Sequence, residues 1–99
     1  MNLHFFEDVE AEFSKAVFYY EDRQPGLGKR FRDEIANVLS RIIQDPFLWR
    51  ERKGGYRRVN LPVFNHYIAY IIEADTIHVV AIASSSQHPD YWKSRLTHV

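Results

Sequence analysis

The chain has 99 residues, 45% apolar and 15% aromatic, with thirteen Lys and Arg against thirteen Asp and Glu and no cysteine. That bounds it to one domain with enough apolar side chains for a core, and it excludes a disulfide framework and any thiolate zinc or iron–sulfur site. The zero net charge conceals an asymmetry. Residues 1–49 carry six Lys and Arg against nine Asp and Glu, and residues 50–99 carry seven against four, so a basic C-terminal surface could meet an anion, a nucleic acid or an acidic partner.

Residues 1–8 show no basic region followed by a long apolar stretch, and the longest apolar runs, 68–72 and 79–83, are far shorter than a bilayer span. The expectation is a cytoplasmic, reduced chain with no membrane association. Residues 2–5 read as a short first strand. From residue 7 to about 22, Val9, Phe13, Ala16, Val17 and Tyr20 recur at spacings of three and four, one face of an amphipathic helix. Glu7, Asp8 and Glu10 place negative charge in its first turn, where the helix dipole favours it. Gln24-Pro25-Gly26 breaks this helix.

A second helix is predicted over 27–44, with Leu27, Phe31, Ile35, Val38, Leu39 and Ile42 as its stripe and Arg30 and Glu34 four apart on its surface. Asp45-Pro46 ends it, because the residue before proline avoids helical angles. Two such stripes joined by a tight break form an antiparallel helical hairpin. Residues 47–55 are irregular and charged, with Arg50, Glu51, Arg52 and Lys53 before Gly54-Gly55.

The period then changes to two. Residues 56–61, 64–73 and 76–84 read as three strands rich in Val, Ile and Tyr. The second places Phe64, His66, Ile68, Tyr70 and Ile72 on one face and Tyr67, Ala69 and Ile71 on the other. The third is apolar on both faces, with Val80 and Ile82 opposite Ile77, Val79 and Ala81. A sheet covered on one face alternates apolar and polar residues, so a second cover is needed: a C-terminal segment, a partner, or both. Residues 88–95 supply a short helix after Pro89. Helices gathered before a sheet indicate α+β.

These residues carry a family likeness. Tyr19-Tyr20-Glu21, Pro25-Gly26-Leu27-Gly28, Phe31, Glu34, Ile42 and Pro46 resemble the helical hairpin of the RelE/ParE toxin superfamily. Tyr56-Arg57-Arg58, Phe64, Ile68, Tyr70, Val80-Ala81-Ile82 and the run from Pro89 through Tyr91, Trp92, Lys93 and Arg95 continue the resemblance in order. It implies a single domain in which an N-terminal helical hairpin packs on a small, twisted, mostly antiparallel sheet of three to four strands, with a short C-terminal helix. It also implies a type II toxin, associated with plasmid stabilisation and growth inhibition, that a cognate antitoxin wraps. Some relatives cleave messenger RNA on the ribosome, and others poison DNA gyrase. The nuclease branch tends to carry a histidine and arginines where this chain has Ser84-Ser85-Ser86-Gln87-His88, and Phe64-Asn65-His66 replaces the usual Phe-Pro-Tyr. The resemblance therefore favours the ParE-like side.

Were RNA cleaved without a metal, it would need a proton acceptor, a proton donor and a cation on the phosphate. Candidates are Arg58, Arg52, Lys53, His88 and Tyr91. Arg57 and Arg58 are neighbours on a strand and point to opposite faces; Arg57 shares parity with Val59 and Leu61 and leans towards the helices, leaving Arg58 for the open face. Arg57, Arg58, Trp92, Lys93 and Arg95 form the expected binding surface. Plainer readings stand beside these: Arg58 pairs with a carboxylate, Tyr91 and Trp92 pack a terminal segment, and His88 is a turn residue. His66 and His78 have no third ligand at metal spacing, so no metal and no cofactor is expected. Partners would be the antitoxin, then gyrase or the ribosome and its message, with DNA reached only through the antitoxin. A homodimer or higher toxin–antitoxin assembly would cover the same apolar surface. A scaffold that has lost toxicity and binds only its partner is a third reading.

Overall fold

The computed structural model describes residues 1–98. In chain order they form β1 (Asn2–Phe5), α1 (Glu7–Arg23), α2 (Leu27–Gln44), β2 (Arg57–Asn60), β3 (His66–Glu73), β4 (Thr76–Ser84), α3 (Asp90–Lys93) and a closing 3-10 turn (Ser94–His98). The sheet order is β1-β4-β3-β2. β1 runs parallel to β4, and the other pairings are antiparallel. The architecture is the α+β hairpin-on-sheet expected from the sequence.

The hairpin forms for the reasons its residues give. Val9, Ala16 and Tyr20 of α1 are buried, as are Phe31, Ile35, Val38 and Ile42 of α2. These stripes pack with Val59, Ile68, Tyr70, Ile77, Val79 and Ile82 on one face of the sheet. Gly26 caps α2 with φ of 89°, a left-handed conformation that costs glycine nothing. The end of α2 is completed from α1: the Glu21 carboxylate accepts from the Gly26 N–H at 3.0 and 3.1 Å and from the Gly28 N–H at 3.0 Å. The i, i+4 ion pair on α2 is Lys29–Asp33 at 3.0 Å rather than one between Arg30 and Glu34.

The second face is covered from within the chain. Tyr56, Tyr67, Ala69, Ile71, Val80, Ala81 and Ala83 cluster with Trp92, and Phe6 and Leu96 close over them. Trp92 is fully buried, and its indole N–H donates to the Tyr67 hydroxyl at 2.7 Å. The parity expected along β4 fails at one point. Tyr70 pairs with Val79 while Ala69 pairs with Ala81, so Val80 is an extra residue, a β-bulge that reverses the faces beyond it. Ile77, Val79 and Ile82 therefore face the helices, whereas Val80, Ala81 and Ala83 face Trp92. β2 and β3 are also shorter than predicted, because Pro62, Val63 and Phe64 turn as a loop.

Candidate functional site

Two clefts flank the sheet. The larger, of about 640 Å³, opens between α1, the 62–65 loop, the end of β4 and Tyr91. Half-buried His66 lies here with Nδ1 2.8 Å from the Tyr20 hydroxyl. Burial pushes the Tyr20 phenol above its ordinary pKa of 10.0, outweighing the opposing Asn65 backbone hydrogen bond. Burial also holds His66 below 6.5 against the opposing pull of Glu12. Both groups are neutral near pH 7, and the hydroxyl and Nδ1 share one hydrogen bond whose direction follows the His66 tautomer.

Glu12 ties this cleft to the C-terminus. Its Oε1 accepts from the Ile82 N–H and from Arg95 Nη1, each at 3.1 Å. Its Oε2 accepts from Arg95 Nη2 at 3.1 Å and from the Tyr91 hydroxyl at 2.9 Å. Arg95 adds a donor to the Val80 carbonyl at 2.9 Å and an ion pair to Asp8 at 3.3 Å. Burial first, then the Glu12 charge, raises the Tyr91 pKa far above 10.0. Its phenol is thereby held as a donor to Glu12 and is a poor proton acceptor.

The second cleft, of about 410 Å³, lies at β2, the open edge of the sheet, and is lined by Arg41, Trp49, Arg50, Arg52, Arg58, Val59 and Asn60. Four arginines and no Asp or Glu are among its lining residues. The Arg41 guanidinium carbon is 5.6 Å from the Trp49 ring centroid. That of Arg58 is 3.7 Å from the Tyr67 centroid, while Arg58 Nε donates to Asn60 Oδ1 at 2.9 Å. Among the described residues none of the four arginines forms an ion pair with an Asp or Glu.

The sequence candidates thus separate. Arg52 and Arg58 both line the cleft at the β2 edge, whereas the Arg57 guanidinium donates to the Trp49 carbonyl at 2.7 Å and lies 5.3 Å from the Phe47 ring centroid. Lys53 is exposed and lines neither cleft. The Lys93 ammonium sits 5.6 Å from the Tyr56 ring centroid. Tyr91 and Arg95 belong to the Glu12 network, and Trp92 is core rather than an open stacking platform. His88 is exposed and accepts from the Asp90 N–H at 3.2 Å, the geometry of a turn. Sequence reasoning missed Arg41, which reads as ordinary helix surface, and Glu12, whose partners lie some seventy residues or more away along the chain. Among the described residues no group of three or more His, Cys, Asp or Glu could hold a metal ion.

Comparison with known proteins decides the family. The family model for the ParE toxin of the type II toxin–antitoxin system parDE matches residues 3–89. The chain belongs to the ParE toxin family. Toxin ParE2 of Mycobacterium tuberculosis, from strains CDC 1551 / Oshkosh and ATCC 25618 / H37Rv, is 26% identical over 83 residues, which is 83% of this chain and 79% of the relative. A solved structure from the chromosomal ParDE TA system of P. aeruginosa superposes with a TM-score of 0.74 at 14% identity, covering 85% of this chain and 95% of that one. At that identity the likeness is one of fold. In this ParE-family toxin the family match stops at residue 89, so Trp92 and Leu96, which help close the second face, lie beyond it.

Proposed function

We propose that this ParE-family toxin is kept inactive by a cognate antitoxin and, when released, arrests growth by binding a protein such as DNA gyrase rather than by cutting RNA. One observation carries the choice of target. The arginine cleft suits phosphate, yet its lining of Arg, Trp, Val and Asn contains no group that titrates near neutral pH to move a proton. Tyr91 is engaged by Glu12, Trp92 is buried, and His66 in the other cleft has Nδ1 occupied by Tyr20.

Antitoxin binding is supported by the family and by what the fold leaves uncovered. Tyr19, Val63 and Tyr91, exposed by 51, 68 and 42%, rim the α1 cleft and offer apolar anchors to a helix or strand. Action would be cytoplasmic, with DNA reached only through the antitoxin; among the described residues no helix is long and apolar enough to cross a membrane.

The test is tightly controlled induction of the chain, alone and with its antitoxin, followed by plasmid topology and message integrity. The expected result is growth arrest relieved by the antitoxin, with disturbed DNA supercoiling and intact messages. Unimpaired growth with soluble chain present would remove the active-toxin reading. Early, site-specific message cleavage would replace the protein target with ribonuclease action.

A further inference from the structure

We infer that His4 and His78 form a two-imidazole site for a tetragonal divalent transition-metal ion, nickel(II) or copper(II), at the β1 edge of the sheet. The inference is independent of the toxin reading, because it concerns the end of the sheet opposite the arginine cleft.

Register brings the two rings together. β1 and β4 pair in parallel with His4 directly opposite His78, so both side chains leave the same face of the sheet. Backbone bonds bracket the pair, from the Asn2 N–H to the Asp75 carbonyl at 2.8 Å and from the Phe6 N–H to the Val79 carbonyl at 2.9 Å. Phe6 lies against both rings, its centroid 5.9 Å from that of His4 and 6.1 Å from that of His78. Along the chain His78 has no ligand neighbour at metal spacing; the fold supplies His4 from 74 residues away.

The nitrogens say which ion. The two Nδ1 atoms are 2.8 Å apart, and the ring planes stand at 82°. Without a metal, one ring donates to the other across this gap, in a direction set by the tautomers. With the proton of each ring on Nε2, both Nδ1 lone pairs are free for one cation, and the pair keeps its two ring protons. Imidazole–metal bonds run about 2.0–2.1 Å, which sets the nitrogens about 2.8–3.0 Å apart at a right angle and about 3.3–3.4 Å apart at a tetrahedral one. The observed separation is that of adjacent positions around a tetragonal ion, the geometry of nickel(II) and copper(II) rather than zinc(II). His4 is exposed and His78 half-buried, so water can fill the remaining positions. Among the described residues neither ring makes another side-chain hydrogen bond, and binding forfeits only the one they share. The ion ties the four-residue edge strand β1 to β4.

The experiment uses the untagged full chain, isotope-labelled, with the chlorides of nickel(II), copper(II) and zinc(II) as probes in calorimetry, NMR and thermal melting. Nickel should bind one ion per chain, more tightly than zinc, and broaden the amide signals of residues 2–6 and 76–80 before any others. Copper should give a tetragonal paramagnetic-resonance spectrum with splitting from two imidazole nitrogens. At free nickel about fivefold above its Kd, the melting midpoint should rise by about 4–8 °C. His4→Gln and His78→Gln should each weaken nickel binding by at least roughly tenfold, no less than a change behind a metal ligand costs. His88→Gln, at an exposed turn, should leave binding unchanged. Broadening centred elsewhere on the parent chain, a readout that needs no variant to fold, would overturn the inference. So would zinc binding as tightly as nickel, or parental nickel affinity in either His4→Gln or His78→Gln.

Discussion

Glu12 shows how much one carboxylate can organise. It accepts hydrogen bonds from β4, Tyr91 and both terminal nitrogens of Arg95, and the Glu12 and Arg95 side chains are only 14 and 15% exposed. An ion pair withdrawn this far from water is costly to break one-sidedly. Glu12→Gln should therefore cost about 2 kcal/mol, the scale of hydrogen bonds to a charged group, read as a lower urea midpoint with an unchanged slope; an unaltered midpoint would show the network to be idle. His66 makes a pH prediction. Burial lowers its folded pKa below 6.5, so above 6.5 both states hold the ring neutral and nothing is lost. Below 6.5 the unfolded chain takes up a proton that the folded ring resists, and stability falls until the folded pKa is reached. The urea midpoint should drop as pH is lowered through 6.5, and His66→Gln, which keeps a polar group beside Tyr20 but has no ring to titrate, should flatten that slope. Glu12 did not stand out in the sequence, where it looks like helix surface; His66 did, as a departure from the family pattern, but its partner lies 46 residues away along the chain.

At the scale of elements, the hairpin was legible because both stripes keep helical spacing and Pro25-Gly26 interrupts them. How closely the helices approach was not. A Cβ on Gly28 would lie 2.9 Å from the Val17 carbonyl oxygen and 3.0 Å from Glu21 Oε1. Gly28→Ala would gain about 1 kcal/mol of helix propensity, yet it must push two backbones apart, so it should lower stability by about 1–3 kcal/mol, measured by thermal melting. A gain in stability would mean that the hairpin yields easily. The need for a cover over the second face was visible in strands apolar on both sides, but the Val80 bulge was not, because counting by twos presumes one partner per residue. Trp92→Ala should cost about 4 kcal/mol and expose the face it covers to a hydrophobic dye. Trp92→Phe, which loses mainly the hydrogen bond to Tyr67, should cost less. Equal losses would indicate that the indole N–H matters more than the filled volume.

For the whole molecule, the order of elements, the mostly antiparallel sheet and the family likeness could all be read along the chain, since each rests on local spacing or on motifs in sequence order. The two clefts could not, because each gathers residues from elements that only the finished sheet brings together; Arg41 on α2 and Arg58 on β2 line one cleft. The resulting molecule has a core on each face of its sheet, an arginine-lined edge with no titrating partner, and exposed side chains around the α1 cleft. On that combination rests the proposal that the protein binds its target rather than cutting RNA. The most direct measurement is DNA supercoiling by purified gyrase in the presence of the refolded chain, with a messenger RNA incubated alongside on ribosomes. The account predicts that supercoiling is inhibited, that the antitoxin restores it, and that the message stays intact. Full supercoiling beside a cleaved message would contradict it.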